Sequence, residues 1–244
     1  MLSPRPWKLE AVLRLMIGVF LCLFVGMLLT LLTRGGADDK SPATIRQIVM
    51  SAICFQGATI ALVWRFVREH GMSWTQAFGL RNARARAVAL GIIAILIFLP
   101  LASVLQHFSF NALEHLGIKP IAQEAVQALR NARHGPGLLV FALVTVVIAP
   151  LGEELLFRGV LYPAIKSAGF PKLAWWGTSI LFAAIHFNRS IFLPLLLLSL
   201  LLVWLYERTD NLIAPLSAHA LFNAANLLIF FAQSDPATKL PAQQ

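Results

Sequence analysis

The chain has 244 residues, of which 58% are hydrophobic and 13% charged, about half the charged share of an ordinary globular protein. With a mean hydropathy of +0.75 it lacks the polar cover of a soluble domain, and the same composition excludes disorder, a coiled coil and a disulfide-held miniprotein. The net charge of +9 sits in short clusters between apolar runs rather than on one aqueous face, which excludes a nucleic-acid partner and points to membrane topology and lipid headgroups.

A helix needs about 20 apolar residues to cross some 30 Å of hydrocarbon. Stretches free of ionisable side chains run over 15–33, 47–64, 87–106, 135–152, 173–185, 190–206 and 211–234, the last interrupted by His219. They predict seven spans in an all-α polytopic bundle, one integral-membrane domain over 1–244, because no ten-residue alternating strands are present to build a barrel. The first run follows Arg5, Lys8 and Arg14 and has no small-x-small cleavage site, so it reads as an uncleaved span. Those residues, with Arg65, Arg68, Arg81, Arg84 and Arg86 after the second run, place the N-terminus in the cytoplasm of a multi-pass cell-membrane protein, expected to be bacterial. Cys22 and Cys54 both fall inside apolar runs with no paired spacing, and so predict neither a disulfide framework nor a zinc-ligand set.

Two connections exceed a turn. The basic, aromatic-interleaved segment 69–86 predicts a helix at the cytoplasmic interface, and 108–136 predicts an amphipathic helix on the opposite surface, with apolar residues at helical spacing over 121–129.

The chemistry lies in side chains that the bilayer penalises. An ionisable group at the centre of a membrane helix costs roughly 2.5–3.5 kcal/mol on insertion scales. Near the inner part of the fourth run stand Glu153, Glu154 and Arg158. Glu154 and Arg158 are i and i+4 with the acid first, the favourable order for a helical pair. Glu153 projects about 100° away, so its carboxylate is left to face a cavity. Pro150 loosens the preceding turn, and Gly152 and Gly159 permit close helix approach. The fifth run ends in Phe182 and His186. In the last, His219, Asn223 and Asn226 are i, i+4 and i+7 and share a face. A carboxylate, two imidazoles and an amide from three helices thus supply a base, an orienting partner and hydrogen-bond donors.

These motifs, Glu-Glu-x-x-x-Arg (Glu153, Glu154, Arg158), Phe-x-x-x-His (Phe182, His186) and His-x-x-x-Asn (His219, Asn223), each set beginning or ending 33 residues after the last, resemble the CAAX protease and bacteriocin-processing family of intramembrane glutamic endopeptidases. The resemblance covers a motif-bearing core of 137–231; the first three spans are similar to the family only in hydropathy. It implies peptide hydrolysis by activated water with no covalent intermediate. Glu153 with His186 would bind and deprotonate the water, His219 and Asn223 would donate to the oxyanion, and Glu154 and Arg158 would hold the helix and the electrostatics around Glu153. The expected partners are the lipid bilayer and a membrane-associated protein or peptide substrate, and neither cofactor nor metal is expected.

Three other readings stay open. A metalloprotease would use the same Glu and His residues, but no His-Glu-x-x-His is present. A transporter or proton relay also keeps acids and histidines in the membrane, but it predicts an inverted repeat or paired broken helices. A non-catalytic family member would bind a peptide or partner, as in bacteriocin self-immunity or a scaffold. Asn226 reads as an interhelical tie rather than chemistry.

Overall fold

The computed structural model describes residues 2–33, 45–80, 84–118 and 137–234. In chain order these form α1 (Leu9–Thr33), α2 (Ile45–Glu69), the single turn α3 (Trp74–Ala77), α4 (Arg84–His115), α5 (Gly137–Ser167), α6 (Pro171–Ala184), α7 (Arg189–Thr209) and α8 (Ile213–Ser234). The described residues contain no strand. The bundle is all-α, as composition predicts, because only helices satisfy their own backbone groups in lipid.

Its packing inverts that of a soluble protein. Along α1 the side chains of Leu13, Ile17, Phe20, Phe24 and Met27 are exposed, a stripe that water would not tolerate and lipid tails cover. Glu154, Arg158, Ser199 and His219 are buried among the helices. Among the described residues, six helices have the length and apolar character to cross a membrane, which makes this a multi-pass membrane protein.

The seventh expected span is different. Helix α6 has 14 residues, or about 21 Å at 1.5 Å per residue, short of the hydrocarbon thickness. Lys172 and His186 bound the apolar run, and after Ala184 the chain turns through Phe187 at φ 48° and restarts at Arg189. The absence of charge over 173–185 correctly marked a helix, but its length does not carry it across.

The interfacial helix predicted within 69–86 is reduced to α3. Ser73 and Gln76 close it by a reciprocal capping box, with Ser73 N donating to Gln76 Oε1 at 3.0 Å. Rather than lying flat on the surface, the segment then dives inward: Phe78 is buried, and its carbonyl accepts from Leu212 N at 3.0 Å. Gly79 follows at φ +68°, so close to the turn between α7 and α8 that a Cβ would stand 1.8 Å from Asp210 O. The amphipathic helix predicted over 121–129 lies outside the described residues.

One end of the bundle is tied by the N-terminal segment. Leu2 N donates to Glu207 Oε2 at 3.1 Å, Arg5 pairs with Asp210 at 2.6 Å, and Trp7 Nε1 donates to Gly159 O at 3.0 Å. Tyr162 and Lys166 meet Glu207 from α5. His70 accepts from Lys8 N at 3.2 Å and packs against Trp7, so it belongs to this clasp.

Candidate active site

Helix α5 carries the acids, and it is not a uniform α-helix. Its α-helical turns are interrupted by π-helical stretches at Val144–Ile148 and Leu155–Leu161, which flank the segment Ala149–Glu154. Such wide turns are rare and concentrate at functional positions. Here one of them has a local cause. Ala149 N bonds to Val144 O, five residues back. Pro150, next in line, has no N–H to give. Thr145 O therefore receives no bond from Pro150, and Asn223 Nδ2 of α8 donates to it at 2.9 Å. The wide turn joins α5 to α8, and one of the two amide hydrogens of Asn223 is committed to this tie.

The two adjacent acids sit in different surroundings, as their helical phase predicts. Glu154 is fully buried. Its Oε1 accepts from Arg158 Nη1 and from His219 Nδ1, each at 2.8 Å, while Oε2 has no partner. Arg158 also reaches α7: Nη2 donates to Ser199 O at 3.1 Å and Ser199 Oγ at 2.8 Å, and the guanidinium lies over the Phe182 ring at 4.7 Å. Glu154 is thus more than the counterion of Arg158, since it also holds the histidine of α8.

Glu153 has a side chain that is 16% exposed. Its two oxygens are divided. Oε1 accepts from Gln56 Nε2 at 3.3 Å, and Oε2 stands 3.7 Å from His219 Nε2. That second distance is too long for a hydrogen bond and short enough for one water oxygen to reach both groups. Since a carboxylate oxygen only accepts, His219 Nδ1 carries a proton toward Glu154, and Nε2 is the nitrogen turned to Glu153.

His186 is placed differently from the expectation. It makes no hydrogen bond or ion pair with Glu153. Its Nδ1 lies 2.7 Å from Phe182 O, a carbonyl that can only accept, so Nδ1 bears the proton and Nε2 presents a lone pair. The link to the rest of the cluster is Phe182, whose ring centroid lies 5.1 Å from that of His186 and 5.7 Å from that of His219. The structure therefore brings together Glu153, Glu154, Arg158 and His219 directly, His186 through an aromatic ring, and Asn223 through Thr145. Asn226 does not tie helices: its Nδ2 donates to Phe222 O in its own helix at 2.9 Å.

Two contributors escaped the sequence reading. Gln56 of α2 and Ser199 of α7 are both buried polar residues inside long apolar runs, and the penalty that singled out the ionisable residues applies to them in weaker form. Among the described residues, no group of three or more His, Cys, Asp and Glu side chains is arranged to hold a metal ion.

Comparison with known proteins agrees with the motifs. Residues 135–225 match the family described as Type II CAAX prenyl endopeptidase Rce1-like. The chain is 37% identical over 78 residues to the UPF0177 protein YxdF of Lactococcus lactis subsp. lactis, covering 32% of this chain and 42% of that protein. It is 29% identical over 136 residues to the uncharacterized protein YpbD of Bacillus subtilis, covering 54% and 62% respectively. The chain thus spans less than two thirds of the length of either relative. No solved structure matches significantly. The matched residues 135–225 include Glu153, Glu154, Arg158, His186, His219 and Asn223 and leave out Gln56, so it is the motif-bearing part of the chain that is similar to the Rce1-like family.

Proposed function

We propose that the chain is an intramembrane endopeptidase that hydrolyses a peptide bond of a membrane-associated substrate, with Glu153 as the base that activates water. The observation that carries this reading is the division of labour between adjacent acids around one imidazole. Glu154 is consumed by Arg158 and by His219 Nδ1, whereas Glu153 keeps an oxygen turned toward His219 Nε2 at 3.7 Å. A second acid that has no Lys or Arg partner among the described residues, at a partly exposed position, suits a base better than a structural brace.

In this mechanism a water held at Glu153 Oε2 attacks the scissile carbonyl carbon and gives its proton to Glu153. The C–O bond forms as the carbonyl electrons move onto oxygen. The C–N bond then breaks, and Glu153 returns the proton to the leaving amine. His186 Nε2, a lone-pair acceptor, serves the second hydrogen of the water. Asn223, with one amide hydrogen anchored on Thr145 O, offers the other to the oxyanion. For His219 Nε2 to donate as well, the ring must carry both protons. The charges of Glu153, Glu154, Arg158 and His219 then sum to zero, a balance that a low-dielectric interior rewards. Oxyanion donors of this kind are worth about 2.7–4 kcal/mol each.

The basic residues Arg5, Lys8 and Arg14 support a cytoplasmic N-terminus, and the family description makes prenylated C-terminal peptides the first substrate class to try. The test is a comparison of peptide termini in membranes of cells expressing the unmodified chain and Glu153→Gln at matched levels. New termini confined to the unmodified chain are expected. Identical termini would instead favour a peptide-binding, non-catalytic role. Activity that persists after exhaustive chelation separates this mechanism from a metal-dependent one.

A further inference from the structure

One buried polar group that the mechanism does not use lies on α2, outside the matched residues 135–225. Gln56 lies in the middle of this membrane helix and is 5% exposed. Its Nε2 donates to Glu153 Oε1 at 3.3 Å, and its Oε1 is buried with no hydrogen-bond partner. Position 152 accommodates it. A Cβ there would stand 2.1 Å from Gln56 Oε1 and 3.1 Å from its Cδ, so the amide occupies the space that any residue but glycine would fill.

We propose that Gln56 is a positioning residue for Glu153, and that Gly152 is glycine to admit it. This rests on the reading of Glu153 as the base. A carboxylate on a single helix can rotate about its terminal bond and present either oxygen. With Oε1 bound by the Gln56 amide, Oε2 is the oxygen left to face His219 Nε2. The terminal amide also suits both states of Glu153 during turnover. Its N–H2 end donates to Oε1 of the carboxylate, and when Oε2 has taken the proton of the water Oε1 is still an acceptor for the same N–H. An apolar residue at 56 would donate to neither state. The first three spans then contribute to the chemistry as well as to lipid packing, because α2 sets the orientation of a side chain on α5.

The test uses the full chain in detergent micelles with an internally quenched peptide carrying the site cut fastest in the membrane-terminus comparison. Gln56→Met keeps volume and removes both ends of the amide. A positioning role predicts that kcat falls about 10- to 100-fold with KM unchanged within about twofold, and a thermal midpoint within about 3 °C of the unmodified chain. Gly152→Ala displaces the amide by a different route and should give the same kcat loss. The two substitutions together should be no worse than either alone, because both remove one contact. An unmodified kcat in Gln56→Met, or losses that multiply in the double variant, would overturn the proposal. If Gln56→Met does not fold, Gly152→Ala decides alone: reduced kcat at constant KM supports the proposal and an unmoved kcat refutes it. An unmodified chain that cuts nothing defeats the endopeptidase reading itself and this inference with it, a result distinct from normal cutting by both variants.

Discussion

His219 Nδ1 of α8 lies 2.8 Å from Glu154 Oε1 of α5, across a sequence separation of 65 residues. The same oxygen accepts from Arg158 Nη1 at the same distance. A fully buried carboxylate that serves two donors from two helices sets the rotation of α8 against α5, and it fixes which nitrogen of His219 faces Glu153.

Removing the charge at Glu154 should therefore be expensive. Glu154→Gln leaves Arg158, 1% exposed, without its counterion, and losing one partner of a buried pair typically costs about 3–5 kcal/mol. Ser199→Ala removes one charged hydrogen bond while Ser199 O remains for Arg158, so it should cost about 1.5–3 kcal/mol. Thermal unfolding in micelles should rank Glu154→Gln below Ser199→Ala, and the reverse order would show that Ser199, not Glu154, holds the guanidinium.

Asn223 and Pro150 should be coupled. Asn223→Ala strips the donor from Thr145 O, at a cost of about 1–3 kcal/mol for a carbonyl left unpaired. Pro150→Ala restores a backbone N–H in the register that reaches that carbonyl. The double variant should then be more stable than Asn223→Ala alone. A double variant at least as unstable as the sum of its parts would mean that the carbonyl is not the link between them.

Gly79→Ala tests the contact between the α3 segment and the turn from α7 to α8. The left-handed φ of +68° and a Cβ 1.8 Å from the Asp210 carbonyl both oppose a side chain there. Strain and overpacking together should cost about 3 kcal/mol. Because the site lies elsewhere, the surviving folded fraction should keep its KM.

The sequence made the bundle and the composition of the site legible for the same reason. Lipid penalises polar atoms, so long apolar runs declare themselves as helices and the exceptions declare themselves as chemistry. The i, i+4 pairing of Glu154 with Arg158 also follows from helical geometry and is present as expected. What periodicity does not fix is the rotation of one helix about another. The resemblance pairs Glu153 with His186, whereas in the structure it is His219 that stands 3.7 Å from Glu153, and His186 is linked to the cluster through the Phe182 ring. The π-helical turns beside Pro150 shift the phase of α5 in a way that counting at 3.6 residues per turn cannot anticipate. Gln56 was overlooked because a neutral amide interrupts an apolar run less conspicuously than a charge. The run 173–185 was counted as a span although it is no longer than the 14-residue α6, because absence of charge measures composition, not reach.

The most direct test of the account is the hydrolysis rate of purified Glu153→Gln beside that of the unmodified chain, with the thermal midpoint of each recorded. Glutamine keeps the size of the side chain and can still bind Gln56, but it cannot take a proton from water. The account predicts a loss of kcat of at least about 100-fold, the lower end of a general-base contribution, in a chain that melts where the unmodified one does. Hydrolysis at the unmodified rate would contradict the assignment of Glu153 as the base.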